Sequence, residues 1–221
     1  MKDGRSTTEN WSTTLSKEER DLVLENSTLV TFKKNETIIK QGYTADNILY
    51  LVKGLAKLSV DDNIRSTVFK IVADGTFVGL MCSFVKRTVD FSAVAINPST
   101  VRLIDRDIFE GLIRNNGEFA VSIVCQMSAM TNKIVHDLIY LSHKHADGAI
   151  CTILMELSFI FKSNSFQMPF TRIELANTVG YSKESVINCL SSLQRENIIK
   201  TSGKNIEIID PKRLEIIARN G

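Results

Sequence analysis

The sequence predicts an α+β protein with a β-rich N-terminal half, one long central helix and a helical C-terminal part that contains a β-hairpin. Short β-branched segments separated by Gly, Asn and Asp fill the first half of the chain. Apolar residues then recur at spacings of three and four, and two short amphipathic segments flank a glycine ahead of the hairpin. At 221 residues, 43% of them hydrophobic, the chain is long enough for two domains with separate cores.

The composition argues against several classes of protein. The net charge of +2 gives no global indication of a nucleic-acid partner. The N-terminus lacks the apolar core of a signal peptide, and no apolar run approaches the ~20 residues of a membrane span, so we expect a cytoplasmic protein without a membrane partner. Three histidines in the whole chain assemble no nucleophile–base arrangement, so we expect no enzymatic activity.

The cysteines argue against a disulfide framework or a metal site. Cys82, Cys125, Cys151 and Cys189 are far apart, with no C-x-x-C pair and no histidine at metal-ligand spacing. We therefore expect no metal and no cofactor. Cys125 and Cys189 can oxidise if they are exposed, whereas buried thiols would be inert.

The N-terminal half begins with a helix and continues as strands. Ser16 and Glu19 form a capping-box pattern for a helix that runs through Leu24. Strands are expected at residues 27–32, 36–40, 47–52, 55–60, 67–72, 91–95 and 100–105. So many short strands are typical of a barrel or a jelly roll.

A long helix follows, beginning at about Asp107 or Glu118 and ending at Leu141. A stripe with coiled-coil spacing along it predicts a homodimer, although packing into the core of the same chain would give the same stripe. The stripe consists of Val124, Met127, Thr131, Ile134, Leu138 and Leu141. The polar residues 142–148 then indicate a hinge with exposed His143 and His145, in which Asp147 caps a helix from Ala149 to Phe161.

Two helices joined by a tight turn come next. Thr171 and Glu174 form a second capping box, for a helix whose apolar face is expected to carry Ile173, Leu175, Ala176 and Val179. Gly180 ends this helix, and Ser182 can cap another. In that second helix Val186, Leu190 and Leu193 fall on one buried stripe. The pattern predicts a helix-turn-helix, although an ordinary helical hairpin would share it.

A β-hairpin follows the second helix. Asn197 is a plausible left-handed helix stop, and residues 198–209 alternate as two strands that turn at Gly203. A hairpin behind a helix-turn-helix is called a wing. Lys200, Ser202, Gly203 and Lys204 offer ammonium, hydroxyl and amide groups that suit phosphate, although exposed side chains of this kind are common on any surface.

Three motifs in this region resemble one known family. They are T-R-x-E-L-A from Thr171, G-Y-S-K-E-S-V from Gly180, and L-x-x-L-x-x-x-N-I-I from Leu190. They are similar to the winged-helix signature of the CRP/FNR superfamily of bacterial transcription regulators, and the order of segments along nearly the whole chain is that of the family.

The resemblance implies three regions. These are a β-roll sensor like a cyclic-nucleotide-binding domain at 1–117, a dimerisation helix with its hinge at 118–145, and a winged-helix DNA-binding domain at 146–221. It also implies a homodimer that binds a palindromic operator in double-stranded DNA and can contact RNA polymerase.

The second helix of such a unit lies in the major groove, where residues of its first turns reach base edges. Lys183 can donate to guanine, Glu184 can accept from cytosine, and Asn188 can pair with adenine. The full set of expected DNA-contacting residues is Thr171, Arg172, Ser182, Lys183, Glu184, Ser185, Ile187, Asn188, Ser202, Gly203 and Lys204.

The second helix also departs from the family pattern. Ile187 and Asn188 stand where the family usually has Ser or Gly followed by a guanine-reading Arg. We therefore expect a different operator. An alternative hypothesis is a small-molecule or protein-interaction module that has kept the fold without specific DNA recognition.

The sensor region departs from the cyclic-nucleotide pattern. The segments IIKQGYTADNILYLVKGLAKL and ADGTFVGL resemble the family's roll, but Leu80 replaces the expected ribose-binding Glu and Phe91 replaces the expected phosphate-binding Arg. Because burying a phosphate without a cation is costly, we expect neither cAMP nor cGMP.

The resemblance extends to the halophenol-sensing branch of the family, which implies a small apolar or aromatic effector of unknown identity. Its expected site comprises Gly79, Leu80, Met81, Phe91, Ser92, Met127, Thr131 and Ile134. A closed core filled by the same side chains is the alternative.

Overall fold

The computed structural model describes residues 10–62, 64–80, 84 and 87–221. These residues form two compact units. The first comprises residues 10–62 and 69–134, and the second comprises residues 64–68 and 135–221.

The first unit begins with a 3-10 turn at Asn10–Ser12 and with helix α1 at Lys17–Glu25. The predicted capping box is confirmed, since the Glu19 amide donates to Ser16 Oγ at 3.2 Å and the Ser16 amide donates to Glu19 Oε2 at 2.8 Å. These bonds satisfy amides that the first helical turn leaves without a partner.

Eight strands follow among the described residues, in two four-stranded sheets with the orders β1-β8-β3-β6 and β2-β7-β4-β5. They are β1 Ser27–Phe32, β2 Thr37–Ile39, β3 Asn47–Lys53, β4 Leu55–Asp61, β5 Ser66–Ala73, β6 Thr76–Val78, β7 Ser92–Ala95 and β8 Ser99–Asp105. The predicted β-roll is confirmed, with each predicted strand present within two residues. Strand β6 is an addition to the predicted strands, and its residues lie in the segment that resembles the nucleotide cassette.

Two apolar clusters form the core of the first unit. One is aromatic and includes Trp11, Tyr50, Phe77, Phe109 and Phe119. Its rings meet at angles, with centroids 5.0 Å apart for Tyr50–Phe77 and 5.3 Å apart for Phe109–Phe119. Such tilted contacts add to the stabilisation that burial of the rings provides. The other cluster is mainly aliphatic and contains Phe91.

The predicted long helix is preceded by a separate short one. Helix α2 spans Arg106–Asn115 and α3 spans Gly117–Ser142, so the start near Glu118 is confirmed and the start at Asp107 is wrong. Asn116 lies at the break, where its Oδ1 accepts from the Phe119 amide at 3.0 Å and its Nδ2 donates to the Thr14 carbonyl at 3.1 Å.

Helix α3 carries apolar residues on two faces. On the inner face Phe119 and Ile123 are buried and Met127 packs against the aromatic cluster. Outer positions spaced by three and four residues are all exposed, with Val121 at 64% and Leu138 at 59%. These outer positions are Val121, Val124, Ser128, Thr131, Val135 and Leu138. Of the predicted seam, Val124, Thr131 and Leu138 lie on this outer face, whereas Met127 packs in its own chain and Ile134 and Leu141 are half-buried.

The second unit contains helices α4 Ala146–Phe161, α5 Arg172–Val179, α6 Lys183–Arg195 and α7 Pro211–Asn220. Strands β9 Ser165–Gln167, β10 Ile199–Ser202 and β11 Asn205–Ile208 form one sheet in the order β10-β11-β9. The predicted winged helix-turn-helix is confirmed. Strand β9 and helix α7 were not predicted, although Asp210 followed by Pro211 is a helix-start pattern, and Asp210 Oδ1 accepts from the Arg213 amide at 3.0 Å.

The prediction that Asp147 caps α4 is wrong. Helix α4 begins at Ala146, His145 is the N-cap without a side-chain hydrogen bond, and Asp147 lies in the first turn. A carboxylate in that turn still interacts favourably with the helix dipole. His143 and His145 are exposed, as predicted.

The hinge is anchored by a buried lysine that the sequence did not indicate. Lys144 is buried, and its Nζ donates to the carbonyl of Ala218 in α7 and lies 4.2 Å from the centre of the Tyr140 ring. The Tyr181 hydroxyl donates to the Lys144 carbonyl at 2.5 Å. Lys144 therefore connects the end of α3, the turn after α5 and the end of α7.

We predict that Lys144→Ala lowers the free energy of unfolding by about 1–3 kcal/mol, because a buried carbonyl loses its donor. Urea unfolding of the full chain measures the change. Lys212→Ala is the matched control, since Lys212 is an exposed lysine of α7 and its loss should change stability by less than about 0.5 kcal/mol. Equal effects of the two substitutions would contradict the proposed role of Lys144.

Candidate nucleic-acid interface and effector cavity

The two helices of the helix-turn-helix begin at the caps that the sequence predicted. The Glu174 amide donates to Thr171 Oγ1 at 3.1 Å, and the Thr171 amide donates to Glu174 Oε2 at 2.7 Å. Gly180 ends α5 with a φ of 76°, a left-handed conformation that favours glycine. Ser182 Oγ then accepts from the Ser185 amide at 3.0 Å. Short-range hydrogen bonds thus define both ends of the turn.

Helix α6 has one buried and one exposed face. Val186, Cys189, Leu190 and Leu193 are buried, which confirms the predicted stripe. The predicted base-contacting side chains Lys183, Glu184, Ile187 and Asn188 are all exposed, while Ser185 is half-buried. The apolar stripe therefore fixes the helix with a mixed polar face directed to solvent.

Helix α5 differs from the prediction at one position. Ile173 was assigned to the apolar face, but it is 56% exposed, whereas Leu175, Ala176 and Val179 are buried. Thr171 is exposed and Arg172 is half-buried. Thr171 and Arg172 thus stand at the exposed N-terminal end of α5.

The wing projects small and basic residues at its turn. Ser202, Gly203 and Lys204 are exposed, and Gly203 has a φ of 60°. The Thr201 hydroxyl donates to Gln194 Oε1, so a side chain of the wing is bonded to a side chain of α6. The predicted turn at Gly203 is confirmed.

The cations of the helix-turn-helix and the wing that suit base or phosphate contacts have no carboxylate partner within the described residues. None of Arg172, Lys183, Lys200 and Lys204 forms an ion pair there, in contrast to Arg213, whose Nη2 lies 2.7 Å from Glu196 Oε2. Burial lowers the pKa of Arg172, because the loss of water around its guanidinium disfavours the charged form, and no ion pair within the described residues compensates for that loss. An incoming phosphate would supply that compensation.

The thiol on the buried face of α6 is shielded from solvent. Cys189 and Cys151 are both buried, and the hydrogen bond with the Cys151 thiol, together with burial, raises the pKa of Cys189. A thiol held in its protonated form is a poor nucleophile. Cys125 on α3 is exposed.

The first unit contains a small cavity at part of the predicted effector site. Leu80 and Met127 line it, and its volume is about 50 Å³. The sequence did not indicate the other lining residues, which are Thr76, Phe77, Gln126 and Met130. For Met130 a signal is present in the sequence, because residues three positions apart on a helix, such as Met127 and Met130, lie on the same face.

The remaining predicted effector residues do not line this cavity. Ser92 is buried and accepts the Gln41 amide at 3.1 Å, Thr131 is exposed, and Ile134 is half-buried. Gly79 and Phe91 pack against each other instead. Met81 lies outside the described residues.

The phenyl ring of Phe91 occupies the space above Gly79. A Cβ added to Gly79 would lie 1.9 Å from Cζ of Phe91, and Gly79 has a φ of +72°. Phe91 is buried and also contacts Phe69, with ring centroids 6.4 Å apart. The side chain that replaces the family's arginine therefore fills the core. For Phe91 this agrees with the alternative expectation of a closed core.

Two sequence profiles match separate parts of the chain. The profile of the cyclic nucleotide-binding domain matches residues 29–116, and that of the Crp-like helix-turn-helix domain matches residues 148–217. Together they cover more than half of the chain. The chain belongs to the CRP/FNR family of transcription regulators.

Relatives of this CRP/FNR protein match most of its length. The transcriptional activator Anr of Pseudomonas protegens is 26% identical over 192 residues, which are 84% of this chain and 78% of Anr. The cAMP-activated global regulator CRP of Escherichia coli is 27% identical over 186 residues, which are 80% of this chain and 87% of CRP. A CRP/FNR-family regulator from Eubacterium rectale has the same fold, with a TM-score of 0.81 at 21% identity over 96% of this chain and 98% of its own.

As a CRP/FNR protein, the chain is a DNA-binding transcription regulator with an effector-binding domain. Within the described residues no helix is long and apolar enough to cross a membrane. The same residues contain no group of three or more His, Cys, Asp or Glu side chains that could hold a metal ion.

The described residues that line the effector cavity of this CRP/FNR chain carry no positive charge. No Lys or Arg is among its described lining residues, so a phosphate there would lack a cation. Its volume is well below the ~150 Å³ of an engineered cavity that holds benzene. A ring-sized ligand would therefore require the side chains of Met127 and Met130 to move, which their flexibility allows.

We predict that Gly79→Ala destabilises the protein by about 2–4 kcal/mol, because it adds a clash with Phe91 to the cost of a left-handed alanine. Gly42→Ala isolates the backbone cost of about 1 kcal/mol, since Gly42 has a φ of +86° and nothing lies within 4 Å of its added Cβ. Urea unfolding measures both variants. If the two are destabilised equally, the ring does not pack against Gly79.

Proposed function

We propose that this chain acts as a homodimer that binds a palindromic promoter site and is gated by a small apolar effector other than a cyclic nucleotide. The observation that carries the DNA-binding part is the exposed face of α6, which presents Lys183, Glu184 and Asn188 beside cations without carboxylate partners among the described residues. The dimer and the effector rest on separate observations.

The α6 face supplies the sequence recognition. Lys183 and Glu184 lie in the first turn of α6 and Asn188 lies in the next, on the side opposite the buried Val186 and Leu190. In the major groove an amide of this kind can pair in bidentate fashion with adenine, and a carboxylate can accept from the cytosine amine. Each such contact discriminates against the wrong base by about 1–3 kcal/mol.

The wing and the start of α5 supply the affinity that does not depend on sequence. Lys204, Ser202 and the Gly203 amide are exposed at the tip of the wing, and Arg172 stands half-buried at the first position of α5. Contacts from such groups to phosphate fix the position of the protein on the duplex. They also release counterions, so affinity falls as the salt concentration rises.

The outer face of α3 supports the homodimer. Its exposed positions run from Val121 to Leu138 at the alternating spacing of three and four that a two-stranded coiled coil requires. A second copy of the same helix is the simplest occupant, because it presents the same stripe and creates a closed two-fold assembly. Two recognition helices related by that axis read two half-sites about one DNA turn apart, ~34 Å.

The apolar cavity supports a non-nucleotide effector. Leu80, Phe77 and the methionines of α3 line it, so a ligand of the same polarity would gain burial without leaving a charge unpaired. Because two of its lining side chains belong to the inner face of the helix whose outer face forms the proposed seam, a ligand that displaces them can bias the pairing of α3.

Selection of bound duplexes from a random DNA library by the purified protein tests the recognition, and we expect a palindromic motif. Asn188→Ala should cost about 1–3 kcal/mol on that motif and relax one position in each half-site. Lys204→Ala should weaken binding to all sequences alike and reduce the salt slope by about one unit per subunit. Cyclic AMP should change neither the motif nor the affinity.

Two outcomes would contradict the proposal. If the selection enriches no motif, it is repeated with Asn188→Arg. Recovery of a motif with that variant would show that the natural α6 has lost its specificity for bases. A rise in DNA affinity on addition of cyclic AMP would show that the sensor accepts a nucleotide.

The dimer has its own test. Val135→Glu places two carboxylates against each other at the proposed seam, so we expect the molecular mass in sedimentation to fall from about twice 24.8 kDa to 24.8 kDa. His136→Glu is the matched control, because His136 is exposed, adjacent and outside the three-and-four spacing of the seam. A dimer that survives Val135→Glu would exclude this face of α3.

A further inference from the structure

A second cavity, of about 130 Å³, lies in the first unit next to the N-terminal helical segment. Its walls come from the 3-10 turn Asn10–Ser12, from α1 and from the neighbouring strands β3 and β8. It shares none of its lining residues with the effector cavity.

One side of this cavity is apolar. Trp11 and Tyr50 are both buried, with ring centroids 5.7 Å apart at an interplanar angle of 59°. Val23, Leu24 and Val52 are the other apolar lining residues. A dry cavity of ~150 Å³ holds benzene, so the volume suits an apolar group of about one ring.

The other side carries two positive charges. Arg102 on β8 is directly opposite Tyr50 in the strand register, and Arg20 extends from α1. Each guanidinium is positioned by a neutral oxygen, since Arg102 Nη1 donates to Ser27 Oγ at 2.9 Å and Arg20 Nη1 donates to the Ser12 carbonyl at 3.5 Å.

No carboxylate is among the described residues that line the cavity. Glu18, exposed on α1, interacts electrostatically with Arg20 but is not among the lining residues, and within the described residues neither Arg20 nor Arg102 forms an ion pair. Two guanidinium groups on one small cavity repel each other, and an anion between them would turn that repulsion into attraction. The planar fork of each guanidinium matches the geometry of a carboxylate.

We propose that this cavity binds a small organic carboxylate whose apolar body is about the size of one six-membered ring. The body lies against Trp11 and Tyr50, and the carboxylate accepts hydrogen bonds from Arg20 and Arg102. Such a ligand connects α1 to the sheet. It differs in charge from the ligand that the effector cavity suits, so the sensor unit would respond to two chemical classes.

The chain contains one tryptophan, Trp11, and this residue lines the cavity. Tryptophan fluorescence of the full-length protein therefore reports directly on the site. We expect a saturable change in emission on titration with benzoate and with cyclohexanecarboxylate, with a dissociation constant of about 1 mM or tighter. The uncharged amides of the same two acids should bind at least roughly tenfold more weakly.

Substitution of the cations tests the assignment of the charged side. Arg20→Gln and Arg102→Gln should each weaken carboxylate binding by roughly tenfold or more, because each removes a charge-assisted hydrogen bond. Arg114→Gln is the matched control, since the Arg114 side chain belongs to the same unit, is 78% exposed and does not line the cavity. This variant should retain the wild-type affinity.

Three outcomes would overturn the proposal. They are the absence of a saturable response to either carboxylate at concentrations up to about 10 mM, equal affinities for the acids and their amides, and arginine variants that bind as well as Arg114→Gln. Thermal unfolding checks that each variant is folded. Because Arg20 is exposed on α1, Arg20→Gln alone keeps the test decisive if Arg102→Gln does not fold.

The titration contains no DNA. Its result is therefore independent of promoter recognition. Trp11 also packs against Phe77 of the effector cavity, so the arginine variants distinguish the two cavities, since no Lys or Arg is among the described residues that line the effector cavity.

Discussion

Helix α3 carries apolar side chains on two faces, and one chain can bury only one of them. The inner face completes the aromatic core of the sensor unit through Phe119 and Ile123. The outer face leaves Val121, Val124 and Leu138 in water, which is unfavourable by roughly 25 cal/mol for each Å² of apolar surface. The rest of the proposed mechanism depends on this division, because it assigns ligand sensing to the inner face and the pairing of two subunits to the outer face.

Local signals in the sequence predicted the winged unit well, and the interactions explain why. The caps at Thr171 and Ser182, the stop at Gly180 and the turn at Gly203 depend on residues at most three positions apart. The local order of residues is therefore sufficient to predict such bonds. Helix α7 begins with the same kind of signal, at Asp210 and Pro211, so a local pattern is sufficient to predict its start as well.

Long-range contacts explain what the sequence did not reveal. The break at Asn116 is held by a hydrogen bond to Thr14, which is 102 positions away, and the burial of Lys144 depends on carbonyls more than 70 positions away. Long-range contacts also determine which apolar side chains of α3 are buried. The spacing of apolar residues does not distinguish Met127 from Val135, and only the folded β-roll covers Met127 and leaves Val135 exposed. For the same reason the effector site was predicted only in part, with Leu80 and Met127 at the cavity and Phe91 in the core.

The anchored hinge separates two properties of the proposed operator. Val135 and Leu138 of the outer face belong to the same compact unit as α6, and Lys144 joins the end of α3 to α7 within that unit. Residues that do not contact the bases would then determine the distance between two half-sites. The exposed side chains of α6 would determine the base sequence of each half-site. Substitutions at Asn188 or Lys183 could thus change which promoters are recognised over evolutionary time, while the length of the spacer between half-sites stayed the same.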